Sequence, residues 1–355
     1  MRKFHLTAAI LLIGALFLGA CGTPAPTQAP PVAQPTTAPA QPTAAPAEPT
    51  TPPKPFRVAV VMPSAINDLA FSQSMYDALL AVQKEMGGPD NFEIAYSENM
   101  FVIEDAAAAI RDYASQGYDL VIAHGSQYGS SLQEIAPDFP KTSFAWGTTL
   151  DTFGMPNIFA YEARSEEGGY VNGVMGAMLS KSGVIGVIGP IETGDAKLYV
   201  EGFTAGAGSV KPDINVSTVW TGSFSDTALA SQAAQTHIDA GADVLTGTAQ
   251  MVTGAITVAQ TSNVPWFGTQ SNQKTLAPGI VVASQVYHWE VVLTQMIDLI
   301  QQGTYGGQAF AINLKNGGEV IEFNPDYPLP ADVQTAAENT IQGIIDGSIP
   351  IPITY

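Results

Sequence analysis

Six short segments hold most of the side chains in this sequence that could recognise or transform a small molecule. The first is Asn67-Asp68-Leu69-Ala70-Phe71-Ser72-Gln73 and the second His124-Gly125-Ser126-Gln127-Tyr128. The others are Glu192-Thr193-Gly194, Gly222-Ser223-Phe224-Ser225-Asp226, Thr248-Ala249-Gln250-Met251 and Gln270-Ser271-Asn272. Together they supply amides, hydroxyls and aromatic rings with few charges. Such a set suits a neutral, planar, hydrogen-bonding ligand better than a phosphate or an amino acid. Each segment also has a plainer reading, because Asn67, Asp68, Ser72 and Asp226 are good turn and N-cap residues. Phe71 is unusual at a helix start unless it packs on the core or stacks on a ligand.

Catalytic and metal chemistry find less support. Cys21 is the single cysteine, which excludes a disulfide framework, a thiolate zinc site and thiol catalysis in the folded part. No phosphate loop, GxSxG elbow or HExxH occurs, and the glycine-rich run 183–189 has the spacing of a buried strand, not of GxGxxG. His124, His237 and His288 are far apart in sequence. Glu166-Glu167 is a carboxylate pair, and exposed acidic pairs are usually just solvated. The reading is therefore a binding protein with no cofactor. Lys and Arg total 13 against 32 Asp and Glu, a net charge of −19, and that balance argues against a nucleic-acid partner.

These segments need strands to hold them. Short β-rich runs at 57–62, 92–97, 120–124, 143–146, 184–188, 215–220, 244–247 and 265–268 alternate with stretches of helical periodicity at 72–86, 103–116, 169–180 and 228–240. Strand–helix alternation implies parallel sheets covered on both faces. A weak repeat divides them. Gly117-Tyr118-Asp119-Leu120-Val121 returns as Gly241-Ala242-Asp243-Val244-Leu245, the segment 144–148 is echoed at 265–269, and 58–63 at 185–190. The expectation is an α/β protein of two similar, doubly wound lobes. Ligands of open parallel sheets sit beyond the strand carboxyl ends, so two such edges face to face make a cleft.

The N-terminal part reads differently. Arg2 and Lys3 precede an apolar run at 8–20 that is short for a membrane span. It ends in Leu18-Gly19-Ala20-Cys21, which resembles the bacterial lipobox, with Cys21 as the lipidated residue. Residues 22–54 hold 11 of the 26 prolines and two charges, the composition of an extended linker. The expectation is a signal peptide at 1–21, a stalk at 22–54 and an exported, membrane-tethered domain.

The folded part resembles the basic membrane protein (BMP) family of ABC-transporter substrate-binding lipoproteins, whose members bind purines and nucleosides. The resemblance rests on residues 67–73, on Glu166-Glu167-Gly168-Gly169-Tyr170-Val171-Asn172-Gly173 and on Tyr199-Val200-Glu201-Gly202-Phe203-Thr204-Ala205-Gly206. Lys211-Pro212-Asp213-Ile214 and the Gly222–Asp226 segment complete it. It implies a type I periplasmic-binding-protein fold, with 55–160 plus 276–308 as one lobe and 161–275 plus 309–355 as the other. It also implies an ABC permease and ATPase as partners. Phe71 would stack the base, at more cost to binding than to folding if truncated, and Asn67, Asp68 and Gln73 would bond its edge. Ser72, His124, Gly125, Ser126, Thr193, Phe224, Asp226 and Gln250 complete the expected site. Where nucleoside binders carry an Asp and a Lys, this chain has the Gln270-Ser271-Asn272 segment and Tyr287, which favours a free nucleobase over its nucleoside. A surface sensor with the same cleft, and a hydrolase using Asp68 and Asp226, stay open as alternatives.

Overall fold

The computed structural model describes residues 54–353; Cys21, the expected signal peptide and the linker up to residue 53 lie outside them. The chain begins β1 (Phe56–Val61), α1 (Phe71–Glu85), β2 (Phe92–Ser97), α2 (Ile103–Ser115), β3 (Leu120–His124), α3 (Gly129–Ile135), β4 (Ser143–Gly147) and β5 (Ile158–Ala163). A second series follows as α4 (Ser165–Leu179), β6 (Val184–Gly189), α5 (Gly194–Val210), β7 (Asn215–Trp220), α6 (Thr227–Asp239), β8 (Val244–Gly247), α7 (Val252–Thr261), β9 (Trp266–Gly268) and β10 (Val281–Tyr287). The last elements are α8 (Glu290–Gln301), β11 (Ala309–Ile312), β12 (Glu319–Phe323) and α9 (Ala331–Asp346).

Two six-stranded sheets result, ordered β11-β5-β4-β3-β1-β2 and β12-β10-β9-β8-β6-β7. The first five strands of each series occupy equivalent places, so the fold is duplicated, as the repeat predicts. The repeated Gly-x-Asp has one job in both copies. Asp119 accepts the Arg57 amide at 2.8 Å as β1 begins, and Asp243 accepts the Lys181 and Ser182 amides at 2.7 Å just before β6. Alternate side chains of β1 go to opposite faces. Val58 and Val60 join the core under α1 and α8, while Ala59 and Val61 join the one under α2 and α3. In the second lobe one core lies under α4, α5 and α9 and the other under α6 and α7.

The chain crosses between lobes three times. The first crossing follows β5, close to the expected residue 160. The other two correct the sequence reading. Val281–Tyr287 is a buried strand paired with β9 and β12, so the chain stays in the second lobe past residue 275 and leaves it only after Tyr287. β11 pairs with β5 in the first sheet, which moves the last crossing beyond Ile312. Where the crossings meet, Gln285 Nε2 donates to the Ser165 carbonyl at 3.0 Å and to Glu319 Oε1 at 2.7 Å. Glu319 Oε1 also accepts the Gly168 amide at 2.5 Å, and Glu167 Oε2 accepts the Leu314 amide at 2.8 Å.

Glu319 is fully buried, and that burial, reinforced by the Glu167 and Glu166 carboxylates, raises its pKa well above the carboxylate range. The folded protein then keeps a proton that the unfolded chain releases. The Glu319 contribution to stability should therefore be greatest below the unfolded pKa of about 4.3 and fall as pH rises toward the folded value. Glu319→Gln removes this dependence. Its melting temperature should gain on that of the wild type as pH is raised from about 5 to about 9. Parallel curves across that range would contradict the assignment.

Candidate functional site

The strand carboxyl ends of the two sheets meet at a narrow cavity lined from both lobes. The first lobe lines it with Pro63 after β1, Phe71, Phe101, Gly125 to Gln127 after β3, and Thr148 after β4. The second contributes Asp195 and Ala196 at the start of α5, Phe224 after β7, Ala249 and Gln250 after β8, and Gln270 after β9. The lobes also touch directly. Ser271 Oγ donates to the Ala70 carbonyl at 2.8 Å, Gln273 Nε2 to the Leu69 carbonyl at 3.3 Å and Thr148 Oγ1 to Asp195 Oδ1 at 3.2 Å. The cleft is closed. Leu69, Ala249 and Gln270 all have φ between 52° and 76°, a left-handed backbone that costs a side-chain-bearing residue about 1 kcal/mol or more. Two of the three, Ala249 and Gln270, line the cavity, and Leu69 lies two residues before Phe71.

Phe71 is held from behind. Its ring stacks on His124 at 3.7 Å between centroids and 9° between planes, and meets Trp289 edge-on. His124 Nε2 lies 3.0 Å from the Phe71 carbonyl, which can only accept, so that nitrogen carries the proton. Nδ1 accordingly accepts the Tyr161 hydroxyl at 2.8 Å. Burial depresses the His124 pKa to about 3, and the ring is neutral at any ordinary pH. His124 positions Phe71 and does not line the cavity.

The polar lining is acceptor-rich. Oε1 of Gln250 and Oε1 of Gln270 are buried and have no hydrogen-bond partner among the described residues. Asp195 is the only charged side chain in the lining. Burial raises its pKa, against hydrogen bonds from Thr148, Gln270 and the amides of its own helix start. A position in the first turn of α5 favours its ionised form. Asp195 was missed in the sequence because it directly follows the Glu192-Thr193-Gly194 segment, where it reads as one more helix-start acid.

The sequence-predicted residues thus divide. Phe71, Gly125, Ser126, Phe224, Gln250 and Gln270 line the cavity. Asn67 and Thr193 are exposed turn residues. Asp68 is committed to the Ala70, Ser72 and Gln73 amides at 2.9–3.2 Å, and Ser72 Oγ accepts the Ser64 amide. Asp226 is exposed and caps α6 through the Ala228 and Leu229 amides, both at 3.0 Å. The two carboxylates of a hydrolase therefore stand outside the cavity, occupied by backbone.

Gln73, Asn272 and Tyr287 border a different cavity, beside α1 and the start of α8. Gln73 Oε1 accepts the Leu69 amide, Asn272 Nδ2 bonds Glu322 at 2.5 Å, and the Tyr287 hydroxyl pairs with Ser165 Oγ at 2.6 Å. The expectation that Asn272 and Tyr287 set a preference for base over nucleoside is therefore corrected. Neither residue reaches the cleft.

Residues 56–354 match the family described as ABC transporter substrate-binding protein, PnrA-like (Bmp). A purine-binding protein of Brucella abortus is 30% identical over 260 residues, 73% of each chain. The nucleoside-binding protein BmpA of Lactococcus lactis, an ABC transporter component, is 27% identical over 81% of this chain and 86% of its own. Among solved structures, an ABC transporter solute-binding protein from Conexibacter woesei superposes with a TM-score of 0.69 at 21% identity, covering 84% of this chain and 98% of that one. That likeness shows the fold, the type I periplasmic-binding architecture of two lobes around a cleft. With that architecture and a family match spanning nearly every described residue, the chain belongs to the PnrA-like (Bmp) family of ABC transporter substrate-binding proteins.

Proposed function

We propose that this protein is the extracytoplasmic, lipid-anchored receptor that captures a purine-like base or nucleoside for an ABC permease and ATPase. The observation that carries the reading is one cavity holding both the Phe71 ring, backed by His124, and the unsatisfied amide oxygens of Gln250 and Gln270. A flat heterocycle satisfies both, since its face stacks and its N–H groups fill the acceptors. A sugar offers no aromatic face. The names of the Brucella and Lactococcus relatives agree with this reading. The ligand is read as held and not transformed, in keeping with the substrate-binding description of the family. Calorimetric titration with purine bases and nucleosides should give dissociation constants of about 1 μM or tighter for at least one of them. Heat only with sugars or amino acids would overturn the proposal.

Anchoring rests on Leu18-Gly19-Ala20-Cys21, which resembles the bacterial lipobox. Cys21→Ser should move the protein wholly into the soluble fraction. Acyl chains contribute about 0.8 kcal/mol per buried methylene, so two of them make a stable anchor. A variant still sedimenting with membranes after a salt wash would point to another attachment.

A further inference from the structure

A glutamine amide can turn over and exchange acceptor for donor, so Gln250 and Gln270 adapt to whatever edge a ligand presents. A carboxylate has no amide to turn. Asp195 is the one fixed acceptor in the lining, and it belongs to none of the motifs that carry the family resemblance. Besides the amides of its own helix start, two side chains approach it, neither of them closely. Thr148 Oγ1 donates to Oδ1 at 3.2 Å, and the Gln270 amide approaches Oδ2 only to 3.5 Å, a weak contact. A carboxylate offers about four lone-pair sites across its two oxygens. It is best matched by two parallel N–H groups on adjacent atoms.

Resting on the reading of this cavity as a purine site, we infer that Asp195 is its specificity determinant. It selects a purine whose ring N–H stands beside an exocyclic amine, as in guanine. Hypoxanthine lacks the amine and leaves one carboxylate oxygen without a donor. Adenine sets a ring acceptor against the carboxylate.

The test is calorimetry of guanine, hypoxanthine, guanosine and inosine against the wild type and Asp195→Asn. Guanine should bind at least about tenfold tighter than hypoxanthine, and guanosine than inosine, because the extra N–H meets a second carboxylate oxygen. In Asp195→Asn both ratios should shrink to about threefold or less, guanine losing more affinity than hypoxanthine. Equal guanine and hypoxanthine affinities in the wild type would overturn the inference while leaving the purine reading intact. So would a variant that loses both nucleosides and keeps both bases, which would assign Asp195 to the ribose. Binding of no purine at all would overturn the inference together with the reading on which it rests.

Discussion

Phe71→Ala is expected to lower stability by about 3–5 kcal/mol, the cost of deleting a buried phenyl ring, and to weaken ligand capture as well. The ring is 8% exposed and belongs to the core that joins β1, α1 and α8, where Met75, Trp289 and Leu293 pack. Its removal takes from His124 the nearer of its two stacked neighbours, leaving Tyr161, in a site where that histidine must stay neutral. Loss of base stacking costs a further 1–3 kcal/mol of binding, roughly 5- to 150-fold in affinity. The sequence leaves core and ligand as alternative roles and favours the ligand; the structure combines them, so the folding cost is the larger one. Phe71→Leu separates the two, keeping most of the apolar volume while losing the aromatic face. Denaturant titration of Phe71→Ala, with calorimetry on Phe71→Leu, measures both parts. Unchanged stability in Phe71→Ala would refute the packing, and unchanged affinity in Phe71→Leu the stacking.

Gly206→Ala should destabilise the protein by about 3 kcal/mol or more, although helix propensity alone predicts a gain of about 1 kcal/mol. The helices α4 and α5 cross with glycines facing backbone. A Cβ on Gly206 would fall far inside contact distance of the Tyr170 carbonyl oxygen, one on Gly173 would strike the Phe203 carbonyl, and one on Gly202 the Glu166 carbonyl. Backbone cannot rotate away as a side-chain tip can, so the helices must separate, and with them the core of Val171, Met175, Tyr199 and Phe203. Gly206→Val should not yield soluble protein. A melting temperature in Gly206→Ala at or above that of the wild type would show that the helices have room to spare.

Those glycines explain what the sequence could and could not disclose. The segments around 166–173 and 199–206, which carry much of the family resemblance, are the interface of α4 and α5, so they report the fold and say little of the ligand. The duplicated architecture was legible because each lobe repeats the same apolar strands and the same Asp at the turn into the central strand. β10 was not, because Val281–Tyr287 is buried on both faces and interrupted by Ser284 and Gln285, which look like loop residues until their partners are known. At the site, polar residues after strand ends were the right places to look, but sequence cannot separate a side chain consumed by its own turn from one facing the cleft. Asp68, Asp226 and Gln73 are consumed; Gln250 and Gln270 are not. Asp195 went unseen because a first-turn acid needs no ligand to justify it.

The central claim is that this cleft is built for a flat, donor-bearing purine. Native mass spectrometry of the soluble domain, mixed with equal amounts of purine bases, nucleosides, pentoses, hexoses and amino acids, tests it most directly. The account predicts a single dominant complex whose added mass is that of a purine base or its nucleoside, reduced in Phe71→Leu. A complex carrying a sugar or an amino acid, with no purine bound, would contradict it.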